Sequence, residues 1–241
     1  MRVKEKYTNK YKDLYMLINP PEEYVDFFNR YTKFKKDLDK DANKKLAKTL
    51  NDEFIEGKYI DIESIFGEYE NNINYSINSY FKKDVTSSIE ITYLKSRITS
   101  NRASKTLNSI KLSIPSILLS AKMYDVSVET MFRTVYLHEM GHLLNFQDRT
   151  YVDRFTKFYN INHSDIRLSL NEFIDYCNTS FYNEVYASEF ATIISEDICH
   201  DYLEICLYTH WTNNLMKVIM FDDYKVGYVK HGSFRFVNTD I

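Results

Sequence analysis

The pentapeptide His138-Glu139-Met140-Gly141-His142 combines three side chains whose types and spacing suit a metal centre. Residues four apart lie about one turn apart on the same face of a helix, so both imidazoles can reach one ion. Glu139 follows the first histidine directly, and its carboxylate can approach a water held by that ion without binding the ion itself. These five residues therefore offer two metal ligands and a base for hydrolysis by an activated water.

The residues before this motif predict that it lies on a helix. Asp125 or Ser127 can cap the helix, because short polar side chains accept hydrogen bonds from the first backbone amides. Gly141 costs such a helix about 1 kcal/mol relative to alanine, which predicts that another part of the chain approaches its backbone closely. Apolar residues recur at steps of three and four, the period of a helix with one buried face: Val128, Met131, Phe132, Val135, Met140, Leu143 and Leu144.

A third ligand is needed, and the segment Asn183 to Ala191 offers one on a second predicted helix. Ala187 and Ala191 are small enough to let this helix pack closely on the first and bring a carboxylate to the metal. The HExGH motif followed by E-x-x-A-x-x-F-A resembles the gluzincins, in particular the ImmA/IrrE-like and other small peptidases. The resemblance implies that Glu184 is the third zinc ligand. Glu189 is the competing carboxylate within the segment.

Asp148 is the alternative third ligand, because residues 138–148 also read H-E-x-x-H-x-x-N-x-x-D. This pattern resembles the metzincins, in which a glycine or asparagine ends the helix and a histidine or aspartate completes the site. Asn145 can adopt the left-handed conformation that such a turn needs. Metzincins also carry a methionine turn beneath the metal, and no downstream methionine has that signature. Glu184 is therefore preferred, with Asp148 as a hydrogen-bond partner of a ligand imidazole.

The gluzincin resemblance implies hydrolysis of a protein or peptide substrate, with one Zn²⁺ per chain held by His138, His142 and Glu184. Glu139 then accepts the proton of the attacking water and passes it to the leaving amine. A hydrogen-bond donor to the oxyanion would contribute about 3–4 kcal/mol, and the candidates are Tyr186, His200 and His210.

A second class of function is a binding or structural protein in which a closed four-ligand zinc site fastens the helices. Such a site would use both Glu184 and Asp148 and would have no place for water. Glu139 argues against this alternative, because a structural site has no use for a base beside the metal.

Two stretches before the motif alternate apolar and polar residues, which predicts strands: Ile89, Ile91 and Tyr93, then Ile110, Leu112 and Ile114. The resemblance implies a zincin-like core with a small mixed or antiparallel sheet, the HExxH helix and a helical lower half. In zincins a sheet edge binds extended peptide, so the stretch from Ile110 to Ile114 is a candidate substrate edge. An inner strand that only contributes to the core is the other interpretation. Val226 to Val237 is a further predicted strand pair.

The elements together predict a helix-rich α+β fold. Five glycines and three prolines are too few for the many tight turns of an all-β chain. A helix is predicted from Pro20-Pro21 to about Leu50, and further short helices from Asp61 to about Asp84 with loops around Gly57 and Gly67. The chain is accordingly divided into a helical region of unknown role, residues 1–85, and a zincin-like domain, residues 86–241.

The charge and the cysteine content of the chain indicate which binding partners and which cellular compartment to expect. The 241 residues carry a formal net charge of −3, and three cysteines without a CxxC pair predict reduced thiols. No apolar run suits a signal peptide or a membrane span, so we expect a cytoplasmic protein. Residues 1–50 contain 13 Lys or Arg and 8 Asp or Glu, which we interpret as a solvated lysine face rather than a nucleic-acid surface.

Overall fold

The structure is a computed structural model, which describes residues 38–104, 107–144, 166–168, 170–207, 209–210, 227–230 and 233–236. These residues form a helix-rich α+β fold, so the predicted class is confirmed. The chain divides into two compact units. The larger unit comprises Phe27–Leu144 and Tyr186–Glu204, and the smaller comprises Met1–Asp26, Asn145–Val185 and Ile205–Ile241.

Asp39 caps the start of helix α1 (Lys40–Ile55). The Asp39 backbone is extended, and its carboxylate accepts hydrogen bonds from two amides of the first turn at 2.9 and 2.8 Å. The continuous helix predicted from Pro20-Pro21 to about Leu50 is therefore wrong at Asp39, although its beginning lies outside the described residues. A cap satisfies amides that have no partner inside the helix, and the apolar stripe alone does not reveal it.

Helix α2 (Ile62–Phe81) is a single helix of 20 residues, where the sequence predicts several short ones. Asp61 caps its start, and Lys82 ends it in the left-handed conformation with φ 53°. Gly67 lies inside this helix, so the predicted loop there is wrong, whereas Gly57 lies in a turn with φ 73°. The buried stripe that carries the helix through Gly67 consists of Ile62, Ile65, Phe66, Ile73 and Ile77.

The sheet of the larger unit contains β1 (Glu90–Leu94), β2 (Arg102–Ser104) and β3 (Ser109–Ser113) in the order β1–β3–β2. β1 is parallel to β3, and β2 is antiparallel to β3, so the sheet is mixed. The strands predicted from alternation are confirmed as β1 and β3. β2 is not predicted from the sequence, because its three residues are too few to show a repeated alternation of apolar and polar side chains.

The candidate substrate edge at Ile110, Leu112 and Ile114 is wrong. β3 is the middle strand and pairs on both sides, so it has no open edge. Ile110 and Leu112 are fully buried, and Ile114 is the first residue of helix α3 (Ile114–Tyr124). The inner-strand interpretation holds for Ile110 and Leu112, because apolar side chains are favoured where neighbours cover both the strand and its face.

Helix α4 (Val128–Leu144) carries the motif, and Ser127 caps its start. The Ser127 hydroxyl accepts a hydrogen bond from the backbone N–H of Thr130 at 2.9 Å. Asp125, the other predicted cap, instead ends α3 in the left-handed conformation with φ 53°. The motif helix is therefore confirmed, and Ser127 is its cap.

Helices α1 and α2 belong to the same unit as the sheet and α4. Phe66 of α2 packs edge-on against Phe132 of α4, with ring centroids 5.1 Å apart. Ala47 and Leu50 of α1 join the same buried core. The predicted boundary at residue 85 therefore does not coincide with a boundary between the units.

Helix α5 (Leu170–Ile194) follows β4 (Ile166–Leu168), and residues 200–207 are also helical. The predicted strand pair near the end of the chain is confirmed as β5 (Gly227–Lys230) and β6 (Ser233–Phe236). β4, β5 and β6 form an antiparallel sheet in that order. Among the described residues, no helix combines the length and the hydropathy that a membrane crossing requires.

Candidate metal centre

The motif helix α4 is buried on nearly every side, rather than on one face as its apolar pattern predicts. Thr134 is fully buried, and His138 and Glu139 are only 6% and 8% exposed. Moving polar groups into the interior costs free energy unless they gain partners there. The partners of these side chains therefore decide what this helix can do.

His138, His142 and Glu184 offer ligand atoms that all lie within 4.8 Å of one another. The two imidazole rings are nearly perpendicular, with an interplanar angle of 84° and centroids 4.7 Å apart. Two imidazole nitrogens and one carboxylate oxygen form a donor set that catalytic zinc sites use, with a further position for water. The chemistry of the three side chains therefore fits Zn²⁺, and the structure brings together the ligands that the gluzincin resemblance implies.

The backbone of α4 meets that of α5 at Gly141. A Cβ added to Gly141 would lie 2.7 Å from the Cα of Ala187 and 3.1 Å from the Cβ of Phe190. The predicted close approach is confirmed, as is the expectation that Ala187 permits tight packing, because both Ala187 and Ala191 are fully buried. Glu184 lies one helical turn before Ala187, so this contact determines where the carboxylate stands.

Ser188, which is not among the site residues predicted from the sequence, contacts the first histidine of the motif. Its Oγ lies 3.3 Å from Nδ1 of His138, and the Ser188 side chain is buried. With the proton on Nδ1, the imidazole donates to Ser188 and leaves Nε2 with a lone pair for a metal. One signal could have revealed this residue, since Ser188 stands four positions after Glu184 and so faces the same way on a helix.

Among the three predicted oxyanion donors, His210 is found beside a candidate ligand. Its Nε2 lies 3.5 Å from Oε1 of Glu184. Tyr186 is partly buried and packs against the hydrophobic core, whereas His200 is exposed. Glu189, the competing carboxylate on α5, is also exposed. Asp148, the alternative third ligand, lies outside the described residues.

The chain after α5 is fastened to α4 by polar contacts. Thr134 Oγ1 accepts the backbone N–H of Cys199 at 2.8 Å and donates to the carbonyl of Thr130 at 2.7 Å. Arg133 forms an ion pair with Asp197 on the same loop. Cys199 is a buried free thiol, and burial raises its pKa, whereas the thiol of Cys206 is only partly buried. These contacts hold the end of α5 against the motif helix.

The opposite side of α4 is fastened to α2. Tyr136, two residues before His138, donates its hydroxyl proton to Oδ1 of Asn74 at 2.7 Å. Burial raises the pKa of Tyr136, so the phenol stays protonated and remains a donor at neutral pH. The motif is thus held from both sides by hydrogen bonds made inside the protein.

Comparisons with known proteins identify no relative: no family model matches the chain, and neither do the curated proteins or the solved structures.

Proposed function

We propose that this protein is a zinc-dependent metallopeptidase with a gluzincin-like centre, in which His138, His142 and Glu184 hold the ion. The observation that carries the proposal is the grouping of these three ligands within 4.8 Å. Glu139 is buried, directly follows His138 in the chain and is not a member of that group. A carboxylate next to a metal but outside its ligand set has the position of a general base.

Zn²⁺ in this site supplies Lewis-acid chemistry, since it polarises a carbonyl and lowers the pKa of water to about 7. Glu139 accepts the proton of the attacking water and returns it to the amine that leaves. Ser188 contacts Nδ1 of His138, so Nε2 would be the nitrogen that holds the ion. The tight contact at Gly141 keeps Glu184 in reach of both imidazoles.

His210 is the proposed donor to the oxyanion of the transition state. Its nearness to Glu184 supports this choice over His200, which is exposed. Removal of such a donor lowers kcat by about 10²- to 10³-fold, and we expect a loss of that size for His210→Ala with the zinc content unchanged. A loss of zinc in this variant would instead assign His210 to holding the metal site.

The proposed fold behind this chemistry is a zincin-like core. The mixed sheet that precedes the motif helix supports it, with β2 replacing β3 as the candidate substrate edge. β2 is antiparallel to its neighbour and contacts α4. An extended peptide paired with β2 would run close to the helix that bears Glu139.

The test compares Glu139→Gln with the wild-type chain, using Glu189→Gln on α5 as the matched control. Metal analysis should find about one zinc per chain in all three proteins. Cleavage of a mixture of peptides, followed by mass spectrometry, should fall by about 10²- to 10⁴-fold in Glu139→Gln alone, the usual contribution of a general base. Equal cleavage by zinc-loaded wild type and Glu139→Gln would refute the proposed mechanism.

A further inference from the structure

Residues 91–124 contain no aspartate or glutamate, although the whole chain has 34 of them among 241 residues. The same stretch holds six cationic side chains: Lys95, Arg97, Arg102, Lys105, Lys111 and Lys122. It covers nearly all of the sheet of the larger unit and helix α3. The segment before the motif helix is thus positively charged within a chain of negative net charge.

The cations of this stretch differ in whether they have a carboxylate partner. Lys95 pairs with Glu63 at 2.9 Å, and Lys122 pairs with Glu53. Arg97, Arg102 and Lys111 take part in none of the ion pairs found among the described residues. Lys105 lies outside those residues. The unneutralised charge is therefore concentrated at β2, at its neighbour β3 and at the loop that leads into β2.

Arg102 of β2 and Lys111 of β3 stand directly opposite each other in the antiparallel ladder. Opposite residues project from the same face of a sheet, and like charges in that arrangement are destabilising. Thr92 of β1 is the partner of Lys111 on the other side, so it supplies no negative charge. A bound carboxylate on this face would relieve the repulsion between the two cations.

β2 is also the outer strand of this sheet among the described residues, since the order β1–β3–β2 pairs it with β3 alone. An extended peptide can add to the edge of such a strand through its backbone amides and carbonyls. Its side chains then alternate between the two faces of the sheet. Every second side chain would project on the face that carries Arg102 and Lys111.

We propose that the β2 edge selects substrates with acidic side chains. These carboxylates form ion pairs with Arg102 and Lys111, and Arg97 adds to the attraction. The inference rests on the proposed peptidase function and adds the class of substrate. A peptide occupant is favoured over a nucleic acid because β2 offers backbone pairing beside α4, which a sugar-phosphate chain cannot use. Asp and Glu are expected at alternating positions of the bound peptide.

The test measures cleavage of a peptide library by the zinc-loaded full chain and by the double variant Arg102→Ser/Lys111→Ser. The control is Lys44→Ser/Lys45→Ser, which removes two exposed charges from α1 and changes the net charge equally. Wild type and control should prefer acidic peptides by about three- to tenfold in kcat/KM, the effect of one or two exposed ion pairs. The double variant should cleave acidic and neutral peptides with equal kcat/KM, and a preference for acidic peptides that survives in it would overturn the inference.

A binding measurement separates failure of this inference from failure of the proposed function. Zinc-loaded Glu139→Gln protein is titrated with fluorescent Glu-rich, Gln-rich and Lys-rich peptides and with single-stranded DNA. Tighter binding of the Glu-rich peptide, weakened in the Arg102→Ser/Lys111→Ser background and at about 0.5 M salt, supports the acidic edge even if nothing is cleaved. Cleavage without an acidic preference overturns the inference alone, as does tighter binding of the DNA.

Discussion

Helices α2 and α4 belong to one unit and differ in how their polar residues are held. α2 buries one stripe, leaves Tyr75 and Tyr80 exposed, and is capped by residues at its own ends. α4 is buried nearly all round, and hydrogen bonds from its interior polar residues reach Ser188 and Cys199, 50 and 65 positions away. The caps of α2 are therefore local, although its Glu70 and Asn74 also accept hydrogen bonds from Tyr93 and Tyr136, whereas the buried polar residues of α4 depend on distant parts of the chain.

This difference sets apart the helix that carries the proposed metal site. Polar side chains need hydrogen-bond partners when they leave water, and the exposed polar side chains of α2 meet that need with solvent. On α4 the same need is met by α5 and the loop after it, which hold His138 and Thr134. Hydrogen bonds of this kind are expected where side chains must keep a fixed geometry, as metal ligands and catalytic bases must.

The largest expected effect concerns Glu184, whose carboxylate joins the two imidazoles. We expect Glu184→Gln to weaken zinc binding by more than about 100-fold, which exceeds the loss caused by removing a hydrogen-bond partner of a ligand. Glu189→Gln on α5 and Glu68→Gln on α2 alter exposed carboxylates and should leave the affinity unchanged. The measurement is competition for zinc with a chromophoric chelator. Equal affinities for all three variants would remove Glu184 from the site.

The two helical glycines give a matched pair for stability. Gly141→Ala places a Cβ 2.7 Å from the backbone of Ala187, so we expect the free energy of unfolding to fall by about 1–3 kcal/mol. Gly67→Ala meets no atom within 4 Å and should raise it by about 1 kcal/mol, the difference in helix propensity. Denaturant unfolding in the presence of a chelator measures both without a contribution from metal. A gain in stability from Gly141→Ala would contradict the close packing of α4 on α5.

Ser188 tests whether the buried contact to His138 serves the metal. We expect Ser188→Ala to weaken zinc binding by about 10- to 100-fold, because the imidazole loses the acceptor that fixes its ring. Ser76→Ala on α2 removes an exposed hydroxyl that bonds only its own helix and is the control. Both variants are compared by chelator competition and by unfolding without metal. Unchanged affinity in Ser188→Ala would assign Ser188 to packing alone.

Local signals predict some of these features and not others. Asp61 and Ser127 are capping residues of ordinary type, and the spacing of His138 and His142 requires only that a helix form. Gly67 predicts a break in α2 that does not occur, because the buried apolar stripe of the helix contributes more than one glycine costs. The prediction for Gly141 is correct. A glycine destabilises a helix relative to alanine, and at Gly141 the backbone of Ala187 leaves no room for a Cβ.

The rest depends on pairings between distant residues. β3 alternates like any half-buried strand, and only the three residues of β2 on its far side make it the middle strand. Nothing in Arg102-Ala103-Ser104 predicts a strand, because three residues are too few to show a repeated alternation. Ser188 could have been found from its spacing to Glu184, whereas Thr134 and Cys199 meet through tertiary contact alone.

The smallest expected effect concerns the cap of α2. Hydrogen bonds from the hydroxyl and amide of Ser64 lower the pKa of Asp61 in the folded protein. A lowered folded pKa means that this carboxylate stabilises the fold above its ordinary pKa and loses that contribution as pH falls through the folded value. We expect Asp61→Ala to lower Tm slightly at neutral pH, with the difference from wild type shrinking below about pH 4. Glu68→Ala is the control, and a difference that grows in acid would contradict the assignment.

Anomalous diffraction at the zinc absorption edge tests most directly whether His138, His142 and Glu184 hold one zinc ion. We expect a single anomalous peak in contact with both imidazoles and the Glu184 carboxylate, with Glu139 close by and outside the ligand set. A peak in contact with Asp148 and not with Glu184 would contradict this expectation and would favour a metzincin-like site.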